Sequence, residues 1–359
     1  LSSVTLLLIS CGSGSGTSPP DLVELALPPP KGLLISAEND VEFLDIFSLS
    51  IIEDGEDYLN NRDAIVVAST AEDSGRSFTT TYTLEASVDE HDVVKYDGDH
   101  LFIAPSRSMD CCFVMPAVSS VSTDQSEEDP DNTSEEQRGI RILSTDPEQA
   151  TAALVSIIPV DGGLTVEGLY NKESKLVSLR SSSWWGMFGD RFSVSWAWEG
   201  QTSALDIYDI STPEQPELKL QIEMEGGFVT SRRVDDTVYM VARHTPTIDG
   251  LIRYPVTQEE IEENKLLLSG LTVADVLPTV SINGESRLLV EASQCLFMDK
   301  TNEQASERYG FPVMTFVIAV DLESESMLGA SCYMGSVSGV YASENAIYLS
   351  QTEGYDEAS

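Results

Sequence analysis

Five acidic side chains stand close together in the first third of the chain. They are Asp89, Glu90, Asp92, Asp97 and Asp99. Carboxylate oxygens crowded into turns bind hard cations, which makes these residues a candidate calcium site. The D-x-[DN]-x-[DN]-G spacing of an EF-hand loop is missing, so solvated turn carboxylates are the competing interpretation. Calcium is the single cofactor that the sequence suggests.

Groups suited to acid–base or nucleophilic chemistry are scarce. The chain has 3 histidines, His91, His100 and His244. Their spacing matches neither the H-E-x-x-H metal motif nor a Cys/His zinc pattern, and the sequence has no G-x-S-x-G nucleophile elbow. We therefore expect structural roles for these histidines and identify no catalytic residue.

The 4 tryptophans fall between residues 184 and 198. Trp184 and Trp185 stand in the turn-rich stretch SSSWWGMFGD, where exposed aromatic rings would bind a sugar or a partner protein. Packing between structural units is the alternative use. Trp196 and Trp198 alternate as on one face of a strand, which favours burial.

Cys11 stands in the run Leu8-Ile9-Ser10-Cys11-Gly12. This run resembles the lipobox of bacterial lipoproteins, in which the cysteine is acylated on sulfur and becomes the mature N-terminus. The following GSGSGTSPP has the composition of a flexible tether, whereas the alternative, a buried cysteine after an apolar strand, would need a core element. We expect an exported protein that is attached to its membrane through lipid alone.

The ends of the sequence indicate that it is part of a longer chain. The opening LSSVTLLLIS is far shorter than the roughly 20 residues that span a bilayer, so it is typical of the apolar region of a signal peptide. No initiator Met or basic region precedes it, and GYDEAS follows a strand-like segment without a closing element.

Export permits disulfide bonds among the other cysteines. Cys111 and Cys112 are adjacent in sequence, and adjacent cysteines rarely bond each other. Cys295 and Cys332 would pair across neighbouring strands if their Cα atoms lie within about 7 Å. Buried free thiols are the alternative.

The charge balance excludes one class of partner. The 359 residues include 20 Lys and Arg against 60 Asp and Glu, for a formal net charge of -40. Such a chain repels nucleic acid phosphates and anionic lipid headgroups. The 41% hydrophobic content is that of a folded globular protein.

Internal repetition predicts an all-β fold. Four segments have a short apolar approach, a polar turn and an alternating apolar run, which is the pattern of a β-hairpin with one buried face. They are residues 93–106, 167–181, 231–244 and 338–351. A second kind of strand–turn–strand segment follows the first three. These segments are residues 140–160, 204–224 and 315–335. Two hairpins make one four-stranded antiparallel propeller blade, so we expect three blades and the opening of a fourth.

Helices are expected at two places outside the repeats. Residues 33–60 mix strand and helix periodicity, with apolar Val41, Phe43, Leu44, Phe47 and Leu49. Within the insertion 256–277, Thr257 and Glu260 have the spacing of a capping box, and Ile261, Leu266 and Leu267 supply an apolar stripe. The predicted divisions are a signal peptide and lipobox at 1–11, a linker at 12–32, an N-terminal α/β segment at 33–85 and a propeller at 86–359, with an acidic loop at 123–137.

The phrase ASVDEHDVVKYDGDHLFIA at 86–104 resembles the GVDEADIVKTDG signature of a secreted β-propeller family that is distantly related to WD repeats. LDIYDISTPEQPEL at 205–218 and GGFVTSRRVDDTVYMVARH at 226–244 are similar to the blade sequences of that family. His91 departs from the pattern, which favours Ala. The resemblance covers roughly residues 80–351 and implies a propeller outside the cytoplasm, with no established reaction. A likeness to the propeller lipoprotein of outer-membrane assembly is weaker, because the blade signatures differ.

These patterns together favour a lipid-anchored binding or assembly module of the cell envelope, on the periplasmic side or at the cell surface. Its partner would be a protein or an envelope polymer. The alternative is a hydrolase or lyase that acts on an extracellular polymer, because propeller scaffolds also carry such sites.

Overall fold

The computed structural model describes residues 34–61, 88–105, 139–160, 163–182, 195–298, 312–335, 337 and 339–350. Several predictions concern residues outside these ranges, namely Cys11, Cys111, Cys112, Trp184, Trp185, the linker 12–32 and the acidic loop 123–137.

The elements follow in chain order. The first are β1 (Leu34–Ser36), α1 (Asp40–Asn61), β2 (Val88–Asp89), β3 (Val94–Tyr96), β4 (His100–Ile103), β5 (Gly139–Asp146), β6 (Thr151–Pro159), β7 (Thr165–Lys172), β8 (Lys175–Ser181), β9 (Thr202–Asp209) and β10 (Glu217–Glu225). The others are β11 (Gly227–Val234), β12 (Thr237–His244), α2 (Gln258–Leu268), α3 (Val273–Val276), β13 (Thr279–Ile282), β14 (Glu285–Leu288), β15 (Cys295–Met298), β16 (Met314–Asp321), β17 (Ser326–Met334), β18 (Gly339–Ser343) and β19 (Ala346–Ser350).

Twelve of these strands form three four-stranded antiparallel blades. The first blade is β3-β4-β5-β6, the second is β7-β8-β9-β10, and the third is β11-β12-β16-β17. The hairpin β18-β19 opens a fourth. The predicted fold class is confirmed, because each predicted hairpin is a pair of antiparallel strands at the expected place.

An extra residue interrupts the strand register at a matching place in each blade. Between the third and fourth strands, the extra residue is Val155 in the first blade, Lys219 in the second and Leu328 in the third. Between the first and second strands of the second and third blades it is Glu167 or Val229. Such β-bulges increase the local twist of a strand. Their recurrence shows that the blades share one structural plan beyond the number of strands.

The cores lie between blades. Phe102 and Ile142 of the first blade are completely buried and pack in one cluster with Leu169 and Leu176 of the second. A larger cluster joins the second and third blades to α1. Full burial of one large apolar side chain stabilises a fold by about 1.5–3 kcal/mol, so contacts between blades supply much of the stability.

The chain between β12 and β16 adds to two blades at once. Strands β13 and β14 pair beside β10 and extend the second blade. Strand β15 runs parallel to β17 and extends the third blade, and β1 pairs beside β15. One insertion therefore connects the last strands of both blades.

Helix α1 confirms the helix expected within residues 33–60. Phe43, Phe47 and Ile51 recur at every fourth position and are buried in the larger core, as an amphipathic helix requires. Val41 and Leu49 belong to the same apolar run in the sequence, but they lie on the opposite face, where they are 68% and 40% exposed.

Helix α2 confirms the capping box predicted in the insertion. The backbone N–H of Glu260 donates to Thr257 Oγ1 at 3.3 Å, and the backbone N–H of Thr257 donates to Glu260 Oε2 at 3.1 Å. These two reciprocal bonds satisfy donors that the first turn of a helix otherwise leaves free.

The apolar stripe expected on α2 is wrong at one residue. Leu266 is 78% exposed, whereas Ile261, Asn264 and Leu268 are buried. Because the buried positions are three and seven residues after Ile261, Leu266 falls on the outer face of the helix.

Trp196 and Trp198 are buried, as expected, but they do not lie on a strand. They belong to a short 3-10 helix, Ser195–Trp198, and are 9% and 1% exposed. The guanidinium of Arg243 lies 4.9 Å from the centre of the Trp198 ring. Two alternating residues are too short a pattern to define a strand, since a turn of three residues also buries both.

Gly98, in the turn between β3 and β4, allows a test of backbone conformation alone. Its φ is +109°, and no atom lies within 4 Å of the position that a Cβ would take. We expect Gly98→Ala to lower the free energy of unfolding by about 1–2 kcal/mol, measured by urea denaturation, because L-residues are strained at positive φ. Gly329→Ala is the matched control, since it also meets open space and has no positive φ. Equal losses in the two variants would contradict this explanation.

Candidate functional site

The signature segment, residues 88–96, contacts the first strand of all three blades. Its β2 pairs with β11 of the third blade. Asp92 then exchanges two backbone hydrogen bonds with Leu169 in β7 of the second blade, at 3.2 and 2.7 Å. The segment continues as β3, the first strand of the first blade. One short stretch thus holds the three blades together.

Two of the candidate calcium ligands bind cationic side chains instead. Asp89 accepts hydrogen bonds from Lys95 at 3.0 Å and from Arg233 at 3.1 Å. Glu90 pairs with Arg232 at 2.9 Å, and its backbone carbonyl accepts from Lys95 at 2.7 Å. Both arginines belong to β11, so these ion pairs reinforce the contact between the segment and the third blade.

Two of the other carboxylates, those of Asp97 and Asp92, have local partners. Asp97 Oδ1 accepts the backbone N–H groups of Asp99 at 2.9 Å and His100 at 2.7 Å, which stabilises the turn between β3 and β4. Asp92 Oδ1 accepts the N–H of Val94 at 3.5 Å. Across the described ranges, no group of three or more His, Cys, Asp or Glu side chains is arranged to hold a metal ion. Calcium binding stays a prediction from the sequence.

His91 belongs to a buried polar chain between the second and third blades. Ser231 Oγ lies 2.9 Å from His91 Nδ1 and 2.8 Å from Tyr170 Oη. The imidazole packs edge-on against Phe228, with the ring centres 5.3 Å apart. A Cβ at Gly168 would come within 2.6 Å of His91 Cδ2. Glycine at that position therefore lets the imidazole approach β7.

The surroundings of His91 keep its imidazole neutral. Burial, together with the positive charges of Arg232 and Lys95, lowers the pKa of His91 to about 4. Burial also raises the pKa of Tyr170 well above its usual value. A serine beside a neutral histidine is the pair that hydrolases use, but Ser231 is completely buried. A substrate cannot reach it, so this cluster serves packing.

Cys295 and Cys332 form a disulfide bond, with their Cα atoms 4.4 Å apart. They occupy paired positions on β15 and β17. The bond therefore ties the insertion to the last strand of the third blade.

A cleft of about 360 Å³ opens between the first and second blades. Its apolar walls include Ile157, Pro159 and Val160 at the end of β6 on one side, and Pro216 and Leu218 on the other. Leu218 immediately precedes the bulge residue of β10. The volume falls within the roughly 300–1,000 Å³ that is usual for ligand pockets. We call this recess the interblade cleft.

The floor of the interblade cleft is polar. Arg180, Tyr208 and Gln221 line it, and each comes from a different strand of the second blade. Arg180 Nε and Nη2 donate to the two oxygens of Asp206 at 2.6 and 3.1 Å. This bidentate pair is buried and fixes the orientation of the guanidinium.

Electrostatics ties the groups of the floor together. Burial raises the pKa of Asp206, while Arg180 and Gln221 favour its charged form. Burial and the charge of Asp206 raise the pKa of Tyr208 to about 12, so its hydroxyl stays protonated. The cleft thus presents a cation that is already paired and a neutral hydroxyl.

A larger groove of about 690 Å³ lies beside the start of α1. Its polar groups are used by local structure, since Asn39 Oδ1 accepts the N–H groups of Val41 at 3.0 Å and Glu42 at 3.1 Å. The backbone N–H of Glu291 donates a hydrogen bond to Gln294 Oε1 at 2.7 Å. The interblade cleft is more enclosed than this groove and lies between two blades, so it is the better candidate for a binding site.

Sequence reasoning missed Arg180, Asp206 and Tyr208. A recognisable signal was present, because Arg180 and Asp206 interrupt the apolar runs LVSLRS and ALDIYD of β8 and β9. A charge among buried positions is rare unless it is paired. Their pairing across two adjacent strands follows from the register of the sheet.

Three four-stranded antiparallel blades that meet through their first strands define a protein of the β-propeller class. The chain belongs to the family described as "Beta propeller domain", whose model matches residues 78–359. This match confirms the resemblance at the level of a propeller family. Comparisons with curated proteins and with solved structures give no significant match. Among the helices described, none has the length and apolar character to cross a bilayer.

The pKa of His91 predicts a loss of stability in acid. The folded state holds this imidazole neutral down to about pH 4, whereas in the unfolded chain it takes up a proton near its ordinary pKa of 6.5. The contribution is complete above pH 6.5 and declines as the pH falls towards 4. At about pH 5 the loss should reach about 2 kcal/mol.

Urea denaturation at about pH 7.5 and about pH 5 measures this loss. We expect His91→Asn to shrink the difference in unfolding free energy between the two pH values by about 2 kcal/mol, whatever its stability at neutral pH. Ser144→Ala, which removes a hydroxyl that does not titrate, is the control and should leave the difference unchanged. The same pH dependence in His91→Asn and in the natural chain would refute the assignment.

Proposed function

We propose that this protein is a lipid-anchored binding or assembly module of the cell envelope, in which the propeller contacts a protein or an envelope polymer. The observation that carries the binding role is the interblade cleft, a preformed recess with apolar walls and a polar floor. Its central cation, Arg180, is held in place by Asp206 before any ligand arrives. A rigid site loses little conformational entropy on binding.

The proposed anchor rests on the residues around Cys11. An acylated cysteine would insert its chains at about 0.8 kcal/mol per buried methylene, and the tether of residues 12–32 would separate the body from the membrane. The net charge of -40 would repel anionic headgroups. The propeller would therefore be held near the membrane and away from its surface.

Metabolic labelling tests the anchor. We expect the full-length natural protein, expressed in a bacterial host with an alkyne-bearing fatty acid, to carry the label and to partition with the membrane fraction. Cys11→Ala should lose both the label and the membrane association, because it removes the acylated sulfur. Cys112→Ala is the matched control and should be labelled like the natural chain. Equal labelling of the natural chain and Cys11→Ala would refute the anchor.

Binding to cell envelopes tests the second part of the proposal. The soluble Cys11→Ala protein should be retained saturably by envelopes isolated from the source cells, and excess unlabelled protein should displace it. An unrelated acidic protein of similar charge should not compete, because the interaction depends on a shaped site. Retention that does not saturate would contradict a binding module. Release of polymer fragments during the incubation would favour the alternative, a hydrolase or lyase.

A further inference from the structure

We infer that the interblade cleft binds a neutral sugar unit of an extracellular or cell-envelope polysaccharide. The inference rests on the proposed function, because it names the class of ligand for the same site. It is argued from the charge of the cleft, from the donors and acceptors of its floor, and from the composition of its two walls.

The charge of the cleft selects against ions. The positive charge of Arg180 is already compensated by the bidentate bond to Asp206. Glu223, which is half exposed, lies 4.0 Å from the same guanidinium. An anionic ligand would meet a floor without net positive charge, and a cationic ligand would find no carboxylate among the described residues that line the cleft. A neutral polar ligand fits both constraints.

The polar groups of the floor match hydroxyl groups. The guanidinium of Arg180 has five N–H donors, and Asp206 accepts two of them. The Tyr208 hydroxyl and the Gln221 amide each hydrogen-bond Asp206. Beyond that bond the hydroxyl oxygen can still accept, and the amide keeps a second N–H donor and its carbonyl acceptor. A ring that carries several hydroxyl groups can satisfy donors and acceptors of both kinds at once. A ligand with a single carbonyl or amine cannot.

The apolar walls of the cleft match the C–H faces of a sugar ring. A pyranose ring has a polar rim and apolar C–H faces. Pro159 and Ile157 offer an apolar wall from the first blade, and Pro216 and Leu218 offer the opposite wall from the second. The ring can therefore pack its faces between the blades while its rim meets the floor.

A polypeptide is the competing ligand, and the backbone at the cleft disfavours it. Within the described ranges, β6 is the last strand of its sheet, so a peptide could pair along its outer edge. Pro159 ends β6 at the cleft, and Pro216 stands just before β10 on the opposite side. Proline has no N–H to donate, so both sides are poor partners for an added strand.

Asp206 has a positioning role in this arrangement. It is buried beneath Arg180 and does not line the cleft, so it does not touch the ligand. Removing it alone would free the guanidinium and leave a buried charge without its partner, which costs stability. A test of binding therefore has to remove the pair together.

The experiment is ligand-detected NMR titration of the folded Cys11→Ala protein with defined probes. The neutral probes are maltose, cellobiose and N,N′-diacetylchitobiose, the anionic probe is digalacturonate, and the peptide probe is a tetrapeptide of alternating valine and threonine, which can pair as a strand. We expect saturable binding of at least one neutral disaccharide and no saturable binding of the other two classes.

Two variants locate the binding in the cleft. Arg180→Met/Asp206→Leu replaces the buried pair by apolar side chains of similar size, which proteins usually tolerate, and should weaken binding by about tenfold or more. Tyr208→Phe removes a hydroxyl that also hydrogen-bonds Asp206, and it should weaken binding by about threefold to tenfold. Tyr254→Phe is the matched control, far along the chain on an exposed tyrosine, and should bind like the natural protein.

Several results would overturn the inference. They are no binding of any neutral disaccharide, unchanged affinity in the Tyr208→Phe variant, or saturable binding of the tetrapeptide or of digalacturonate alone. Should the double variant fail to fold, as circular dichroism would show, Tyr208→Phe and its control still decide the question. Saturable retention by envelopes without sugar binding would refute this inference and leave the binding module intact. Loss of both would refute the two proposals together.

Discussion

The fold depends on the way in which residues 88–96 fasten three blades through their first strands. Backbone pairing of β2 with β11 and of Asp92 with Leu169 sets the spacing of the blades, and the segment itself becomes the first strand of another blade. Ion pairs to Arg232 and Arg233 then hold the third blade against it. Sheets that meet only through apolar faces can slide, whereas directional bonds from one continuous segment fix their relative positions. Asp89 and Glu90, two of the five carboxylates that suggest a calcium site in the sequence, make these ion pairs.

Several of the few Lys and Arg side chains also form ion pairs between blades. The chain has three times as many acidic as basic residues, so self-repulsion opposes compaction. Basic side chains stand where blades meet: Lys172 of the second blade pairs with Asp236 of the third, and Lys175 pairs with Glu325 at 2.7 Å. Each such pair offsets repulsion at an interface that must close. Arg180 differs, since it is paired within one blade and faces the interblade cleft, and this difference makes it a candidate for ligand binding.

One part of the interface between the first and second blades is a packed core, and another part is the open cleft. The second blade meets the first through β7 and a buried core, and the cleft opens beside β6 and β10. The insertion adds β13 beside β10 of the second blade and β15 beside β17 of the third. The Cys295–Cys332 disulfide fixes β15 to β17. A site on a fixed frame keeps its geometry without a ligand, which is what the proposed binding role requires.

The sequence by itself determined the blades, because hairpins, polar turns and period-two burial depend on neighbours a few residues apart. It likewise determined α2, since the capping box of Thr257 and Glu260 spans one turn. Only the tertiary structure decided which charges meet. Asp89 and Arg233 are separated by 144 residues and meet only because β2 pairs with β11, and no local pattern encodes that contact. Arg180 and Asp206 could be recognised in the sequence as charged residues within apolar strands. The cleft above them exists only because the first blade forms its opposite wall.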